Sequence, residues 1–171
     1  GAQVDRFGNL NSTVIGDYAR PSVRLPGGGG APEIAACCRR TFIVMRHSRR
    51  AFVERLAFVT TLGHGPTGRE RRALGLTTEG PVLLVSDLCI MRPHPETKEL
   101  QVTSLHPGVS REAVVEQTGW AVAFAGTVAE TPGPTPQYQF SDPADWTKTI
   151  RNAIAVVAVR QGGTLIFPDG D

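Results

Sequence analysis

Leu25-Pro26-Gly27-Gly28-Gly29-Gly30-Ala31-Pro32-Glu33-Ile34-Ala35-Ala36-Cys37-Cys38-Arg39-Arg40-Thr41-Phe42-Ile43-Val44-Met45 is the stretch from which the fold class follows. Without Cβ atoms, the four glycines can adopt φ > 0 and let backbone N–H groups approach a ligand closely. Pro32 suits the first turn of a helix and Glu33 complements its positive end, so a helix is predicted over 31–40. Ile34, Ala35 and Cys38 would form its apolar face, with Arg39-Arg40 at its C-terminal end. The nearly all-apolar run Thr41–Met45 reads as a strand buried on both faces, as in a parallel sheet. Loop, helix and buried strand in succession point to an α/β layered domain. The glycine run before the helix is a candidate backbone-built site for an anion or a developing oxyanion.

The residues before this stretch are rich in turns. Asp5-Arg6-Phe7-Gly8-Asn9 predicts a tight turn, Ser12–Ile15 a short strand ending at Gly16, and Val23–Leu25 an extended piece. Downstream, Leu56–Thr61 and Val82–Leu88 read as strands, with Gly63–Gly68 a loop between them. Residues 90–103 read as a hairpin whose polar tip is Pro93–Lys98. A helix is expected from N-cap Ser110 to Thr118, stopped by Gly119, then a strand over Trp120–Ala125. Thr131–Pro136 is a linker-like break. Beyond it, Asp142 with Pro143 opens a helical pattern to Val159, and Thr164–Phe167 is a short strand candidate.

Length and composition bound the possibilities. A chain of 171 residues accommodates one domain with a real core. A net charge of +2 does not suggest a nucleic-acid partner. The clusters Arg39-Arg40, Arg49-Arg50 and Arg69–Arg72 read as solvated helix ends and loops, since no aromatic residues interleave with them. Cys37, Cys38 and Cys89 form no disulfide framework and are expected as small buried thiols in a reducing cytoplasm. No membrane-spanning stretch is present, and no metal ligation is expected.

Local motifs exclude more than they identify. No Gly-Lys-Ser/Thr follows the glycines and no GxGxxG with an acidic partner is present, which argues against phosphate cradles of those kinds. His47, at the end of a strand where ligands of open sheets bind, and His64, between glycines, are candidates for chemistry. His94 is expected exposed on the hairpin tip, and His106 could cap the helix after it. Asp5, Asp17, Glu33, Glu54 and Asp87 are candidate acid/base or nucleophilic carboxylates, though for any single one a capping, salt-bridging or exposed role is the stronger reading. Ser48 lacks a nucleophile-elbow context.

Longer segments carry a family resemblance. Gly1–Tyr18, Val23–Ala35, Phe52–Thr60, Gly63-His64-Gly65, Pro95–Leu100, Leu105–Val109 and Gln117–Trp120 together resemble the β subunit of family I CoA-transferases, of the glutaconate and 3-oxoadipate type. The resemblance covers about residues 1–135 in order. It implies an open, mostly parallel sheet flanked by helices, the CoA-transferase fold related to the sugar-phosphate isomerase group, here without its N-terminal part. It implies an α subunit as partner, a CoA thioester and a carboxylic acid as substrates, no tightly bound cofactor, and no nucleic-acid or membrane partner. The implied chemistry is attack of a glutamate on the thioester to give a glutamyl-CoA intermediate. The glycine loop is implied as oxyanion hole at Gly28, Gly29 and Gly30, with Gly27 and Ala31 beside the CoA group.

Two departures matter. The family's nucleophilic glutamate lies upstream of the Gly1–Asp5 segment, which reads as the middle of a fold. Glu33 and Glu54 match positions that are not nucleophilic, so no catalytic glutamate is assigned. Residues 136–171 resemble nothing in the family and are expected to form a divergent tail after a domain spanning 1–135. A CoA-thioester-dependent ring-cleaving hydrolase subunit of the same fold, and a non-catalytic remnant binding module, are the alternative functions.

Overall fold

The computed structural model describes residues 2–133. Backbone contacts divide the chain into a unit Gly1–Thr131 and a second unit Pro132–Asp171. The first unit is described below; the helix expected from Asp142 and the strand at Thr164–Phe167 lie outside the described residues. Two small hairpins lead the chain: β1 (Gln3–Val4) pairs with β2 (Leu10–Asn11), and β3 (Val14–Gly16) with β4 (Pro21–Arg24), both antiparallel. The glycine loop then enters α1 (Ala31–Cys37) and β5 (Arg40–Val44). After an irregular stretch come α2 (Glu70–Ala73), β6 (Gly80–Val85), β7 (Cys89–Pro93), β8 (Leu100–Leu105), α3 (Arg111–Gln117) and β9 (Ala123–Glu130).

β5 to β9 form one sheet in chain order. β6 is buried along nearly its whole length, as its unbroken apolar sequence demands. It lies parallel to β5, and β8 lies parallel to β9; the β6–β7 and β7–β8 pairs are antiparallel. Parallel pairs need long crossovers, and these are the 45–79 segment and the segment bearing α3. The hairpin turns tightly at its tip, where Lys98 adopts a left-handed φ of 62°. Phe52, Leu84, Met91, Leu100, Val102 and Val114 are fully buried and make the centre of the core. Ser110 caps α3, its side chain accepting from the Ala113 N–H.

Several local expectations need correction. β5 is an edge strand, so Ile43 is buried while Phe42 stays 39% exposed, not buried on both faces. α1 stops at Cys37, because the chain must turn extended to enter β5 at Arg40. Leu56–Thr61 is no strand: the N–H groups of Thr60 and Thr61 both donate to Leu10, and only an isolated bridge joins Leu10 to Thr61. The last strand begins at Ala123 instead of Trp120, because Trp120 is buried as a plug stacked on Phe52. The α/β class holds, with a sheet of mixed pairing.

Candidate functional site

The glycine loop follows β4 and is pinned to Ser12 and Thr13 by main-chain hydrogen bonds. Leu25 N–H donates to Thr13 at 2.9 Å and Gly27 N–H to Ser12 at 2.8 Å. Ala31 N–H donates back to Gly28 at 3.0 Å, and Ile34 N–H to Gly30 at 3.0 Å, opening α1. The N–H groups of Gly27 and Ala31 are therefore committed within the loop. Those of Gly28, Gly29 and Gly30 have no acceptor among the described residues. Three consecutive free donors on a partly exposed loop can meet an anionic oxygen.

Glycine is required at two of these positions for different reasons. Gly27 has φ 97°, which side-chain-bearing residues avoid. At Gly28 a Cβ would come within 2.9 Å of Pro32 Cγ and 3.0 Å of Thr60 Cγ2. Beside the loop, a cavity of about 310 Å³ opens between α1 and β5, lined mainly by apolar groups of Ala31, Ile34, Phe42, Ile43 and Pro81.

Two buried polar hubs hold the 62–65 loop. Asn9 Oδ1 accepts from the Gly63 and Gly65 N–H groups at 2.8 and 3.1 Å; its Nδ2 donates to Asp5 Oδ2 at 2.8 Å and to the Gly65 carbonyl at 3.1 Å. Arg71, 6% exposed, donates to the carbonyls of Ala35, Gly63, Leu62 and Thr78 and to the Thr78 hydroxyl. It ties α1 to the 62–63 loop without any carboxylate. This corrects the reading of 69–72 as uniformly solvated. Nothing in that run of arginines distinguishes Arg71 before the fold is known.

The candidate acids and bases are mostly structural. Asp5 accepts from Phe7 N–H, Asn9 N–H and Asn9 Nδ2, closing the first turn. Burial pushes its carboxyl above the usual range, opposed by the Asn9 hydrogen bonds. Asp17 caps the Ala19 and Arg20 N–H groups, Glu54 pairs with Arg6, and Asp87 accepts from the His47 N–H at 2.6 Å. Glu33 is exposed in the first turn of α1. His64 is buried against the Pro81 carbonyl. His106 caps no helix; its ring nitrogens engage the Ser86 carbonyl and the Thr131 hydroxyl. His94 is half-buried and accepts from the N–H groups of Glu96 and Thr97. Cys37 and Cys38 are exposed, against expectation, and burial pushes the Cys89 thiol up to about 12. Among the described residues no group of His, Cys, Asp and Glu side chains could hold a metal, and no helix is long and apolar enough to cross a membrane.

His47 is a core residue. Its ring stacks on Phe52 at 3.7 Å, with Nδ1 3.0 Å from Ser86 Oγ and Nε2 3.0 Å from Thr118 Oγ1. The Thr118 hydroxyl donates to the Val114 carbonyl, so it accepts from Nε2–H; the ring is neutral when the Ser86 hydroxyl, which also accepts from the Leu88 and Cys89 N–H groups, turns its proton from the Cys89 carbonyl to Nδ1. Burial holds its pKa down at about 4, below the ordinary 6.5, against the opposing charge of Asp87. Between those values the unfolded chain binds the extra proton, so stability is full above 6.5 and is lost as pH falls towards 4. The gap corresponds to about 3 kcal/mol. His64 and His106, also depressed by burial, act in the same direction. Urea midpoints measured from pH 7.5 to 4.5 are expected to fall, and His47→Gln is expected to remove the larger part of that slope while lowering stability at pH 7.5.

Fold and loop define an α/β domain with three backbone N–H groups of a glycine loop left without an acceptor among the described residues. Residues 1–117 match the sequence profile of the family described as Coenzyme A transferase, and the chain belongs to that family. It is 58% identical over 134 residues to the 3-oxoadipate CoA-transferase β subunit of Pseudomonas knackmussii, covering 78% of this chain and 52% of that protein. It is 42% identical over 138 residues to the glutaconate CoA-transferase β subunit of Acidaminococcus fermentans, covering 78% and 51%. The crystal structure of that glutaconate coenzyme A-transferase superposes with a TM-score of 0.73 at 38% identity, covering 80% of this chain and 52% of that one. The cholesterol ring-cleaving hydrolase IpdB subunit of Mycobacterium tuberculosis is more distant, at 29% identity over 133 residues, 78% of this chain and 52% of that protein. The chain spans about half the length of the curated relatives it matches.

Proposed function

We propose that this chain is part of the β subunit of a CoA-transferase that moves CoA between an acyl-CoA and a dicarboxylic or keto acid. The single observation that carries the reading is the trio of free N–H groups at Gly28, Gly29 and Gly30, in a family whose members act on CoA thioesters. When a carboxylate attacks a thioester carbonyl, negative charge develops on the carbonyl oxygen. The three N–H groups would receive that oxygen, and they would do so again when the glutamyl-CoA thioester is attacked by the acceptor acid. Gly27 contributes the left-handed turn that aims the loop. Ala31 lines the apolar cavity, whose walls suit the methylene-rich arm of a CoA thioester.

The attacking glutamate lies outside the described residues in this reading. Glu54 is held by Arg6, and Glu33 occupies the first turn of α1, beyond the loop. An α subunit completes the site, as the two-subunit names of the relatives suggest, and a cytoplasmic setting fits a chain with two exposed thiols. The family domain is taken as 1–135, with 136–171 as a tail of no assigned role. Identity of 58% to a transferase subunit against 29% to the hydrolase subunit favours transfer over ring cleavage.

The test is a CoA-exchange assay with the complete β subunit co-expressed with its α partner, offered a dicarboxylic acyl-CoA and a free acid. A new CoA ester of the acceptor acid, formed only when both subunits are present, is the expected result. Ring opening with the thioester intact, or exchange by the isolated chain, would overturn the proposal.

A further inference from the structure

Two chain paths lead from the glycine loop to one exposed cluster. Along β4, Arg24 stands three residues before Gly27, so their Cα atoms are at most roughly 11 Å apart. Across the loop, Gly28 packs against Thr60, whose hydroxyl accepts from Ser12 N–H at 2.9 Å and lies 2.7 Å from the Thr13 hydroxyl. Two residues before Thr60, Phe58 stacks on Tyr18 with ring centroids 5.4 Å apart. The two paths meet at Tyr18, which is 58% exposed: the Arg24 guanidinium lies 5.1 Å from its ring centroid and donates to its carbonyl at 3.2 Å.

Arg24 is thus a cation held in place without a counter-charge among the described residues. The Tyr18 ring and carbonyl fix its position. No carboxylate lies within 4 Å of it among the described residues. The carboxylate closest in sequence, Asp17, is turned to the N–H groups of Ala19 and Arg20. A guanidinium has five N–H donors, and the carbonyl contact uses one. A planar cation with unused paired donors is built to take an oxyanion bidentately.

We propose that Arg24, braced by Tyr18 and Phe58, binds a substrate oxyanion remote from the reacting thioester, namely the far carboxylate of a dicarboxylic acyl group. The inference rests on the transferase reading for what occupies the glycine loop. A phosphate of CoA offers the same chemistry at the same cation. A dicarboxylic substrate is favoured because the cluster reaches the loop within a few residues along both chain paths.

The experiment uses the complete β subunit assembled with its α partner, as wild type, Arg24→Gln and Arg24→Lys. Glutarate, butyrate and CoA are titrated by calorimetry, and kcat and KM are measured in parallel. Arg24→Gln is expected to weaken glutarate by about 10- to 100-fold, leaving butyrate unchanged, with Arg24→Lys between the two. In turnover the loss appears in KM for dicarboxylic acids and not in kcat with butyrate. Weakened CoA binding with both acids unaffected assigns the same cation to a phosphate and overturns the carboxylate assignment. Unchanged affinity for all three ligands, or a wild-type complex that binds neither glutarate nor CoA, also overturns the proposal. If the wild type binds but transfers no CoA, the transferase reading fails while the titrations still decide the role of Arg24.

Discussion

Asn9→Ala is expected to lower the unfolding free energy by about 4 kcal/mol, since each buried group left without its partner costs about 1–3 kcal/mol. Asn9 is 1% exposed and spends its amide on four partners: two N–H groups and one carbonyl of the 63–65 loop, and the Asp5 carboxylate. Alanine strands all four together. The loss is a large part of the roughly 5–15 kcal/mol that holds a domain folded. Close packing makes rescue by rearrangement difficult, because a Cβ at Gly63 would already lie 2.3 Å from the backbone of Gly8. Urea unfolding of wild type and variant at pH 7.5 measures the effect. A loss under about 1 kcal/mol would mean that water replaces the amide and that Asn9 is no hub.

Gly28→Ala is expected to reduce kcat of the assembled enzyme by about 10²- to 10³-fold, the size of effect that follows loss of an oxyanion-hole donor. The added Cβ would meet Pro32 and Thr60 at 2.9 and 3.0 Å, so the loop must shift and carry its free N–H groups with it. Gly29→Ala is the control. Nothing lies within 4 Å of its Cβ position, and its φ of 51° is the left-handed region. It should cost about 1 kcal/mol of stability and far less rate. The order of the two variants is the prediction: if Gly29→Ala loses more rate than Gly28→Ala, the loop does not act through Gly28. Melting temperatures of both should fall by only a few degrees, leaving the assembled enzyme folded at the assay temperature and separating the rate loss from unfolding.

Much of the fold is legible where chemistry is local. The Ser110 cap, the Pro93–Lys98 hairpin tip and the Pro32 helix start are read from residues within one or two turns of each other, and each forms close to where it is read. Misreadings fall where a distant partner decides. Leu56–Thr61 has strand-like residues, yet it is drawn over the first hairpins because Leu10 takes its N–H groups and Tyr18 takes the Phe58 ring. His47 stands at the end of a strand, where a ligand-binding residue would be sought; Phe52, Ser86 and Thr118 enclose it instead, from 5 to 71 residues away. Arg71 shares its charge with exposed neighbours and is distinguished only by the carbonyls that converge on it.

The family, the α/β class and the glycine loop as the place to look are all legible along the chain, because glycine's conformational freedom and helix-start chemistry act over a few residues. Which loop N–H groups lack an acceptor among the described residues is fixed by contacts across the fold. Ser12 takes the Gly27 donor and Gly28 takes that of Ala31, which leaves Gly28, Gly29 and Gly30. The same holds for β5 as the sheet's edge and for Arg24, which lies over the Tyr18 ring with no carboxylate within 4 Å among the described residues. Hydrogen-bond saturation and burial are properties of groups brought together in space, and spacing along the chain does not carry them.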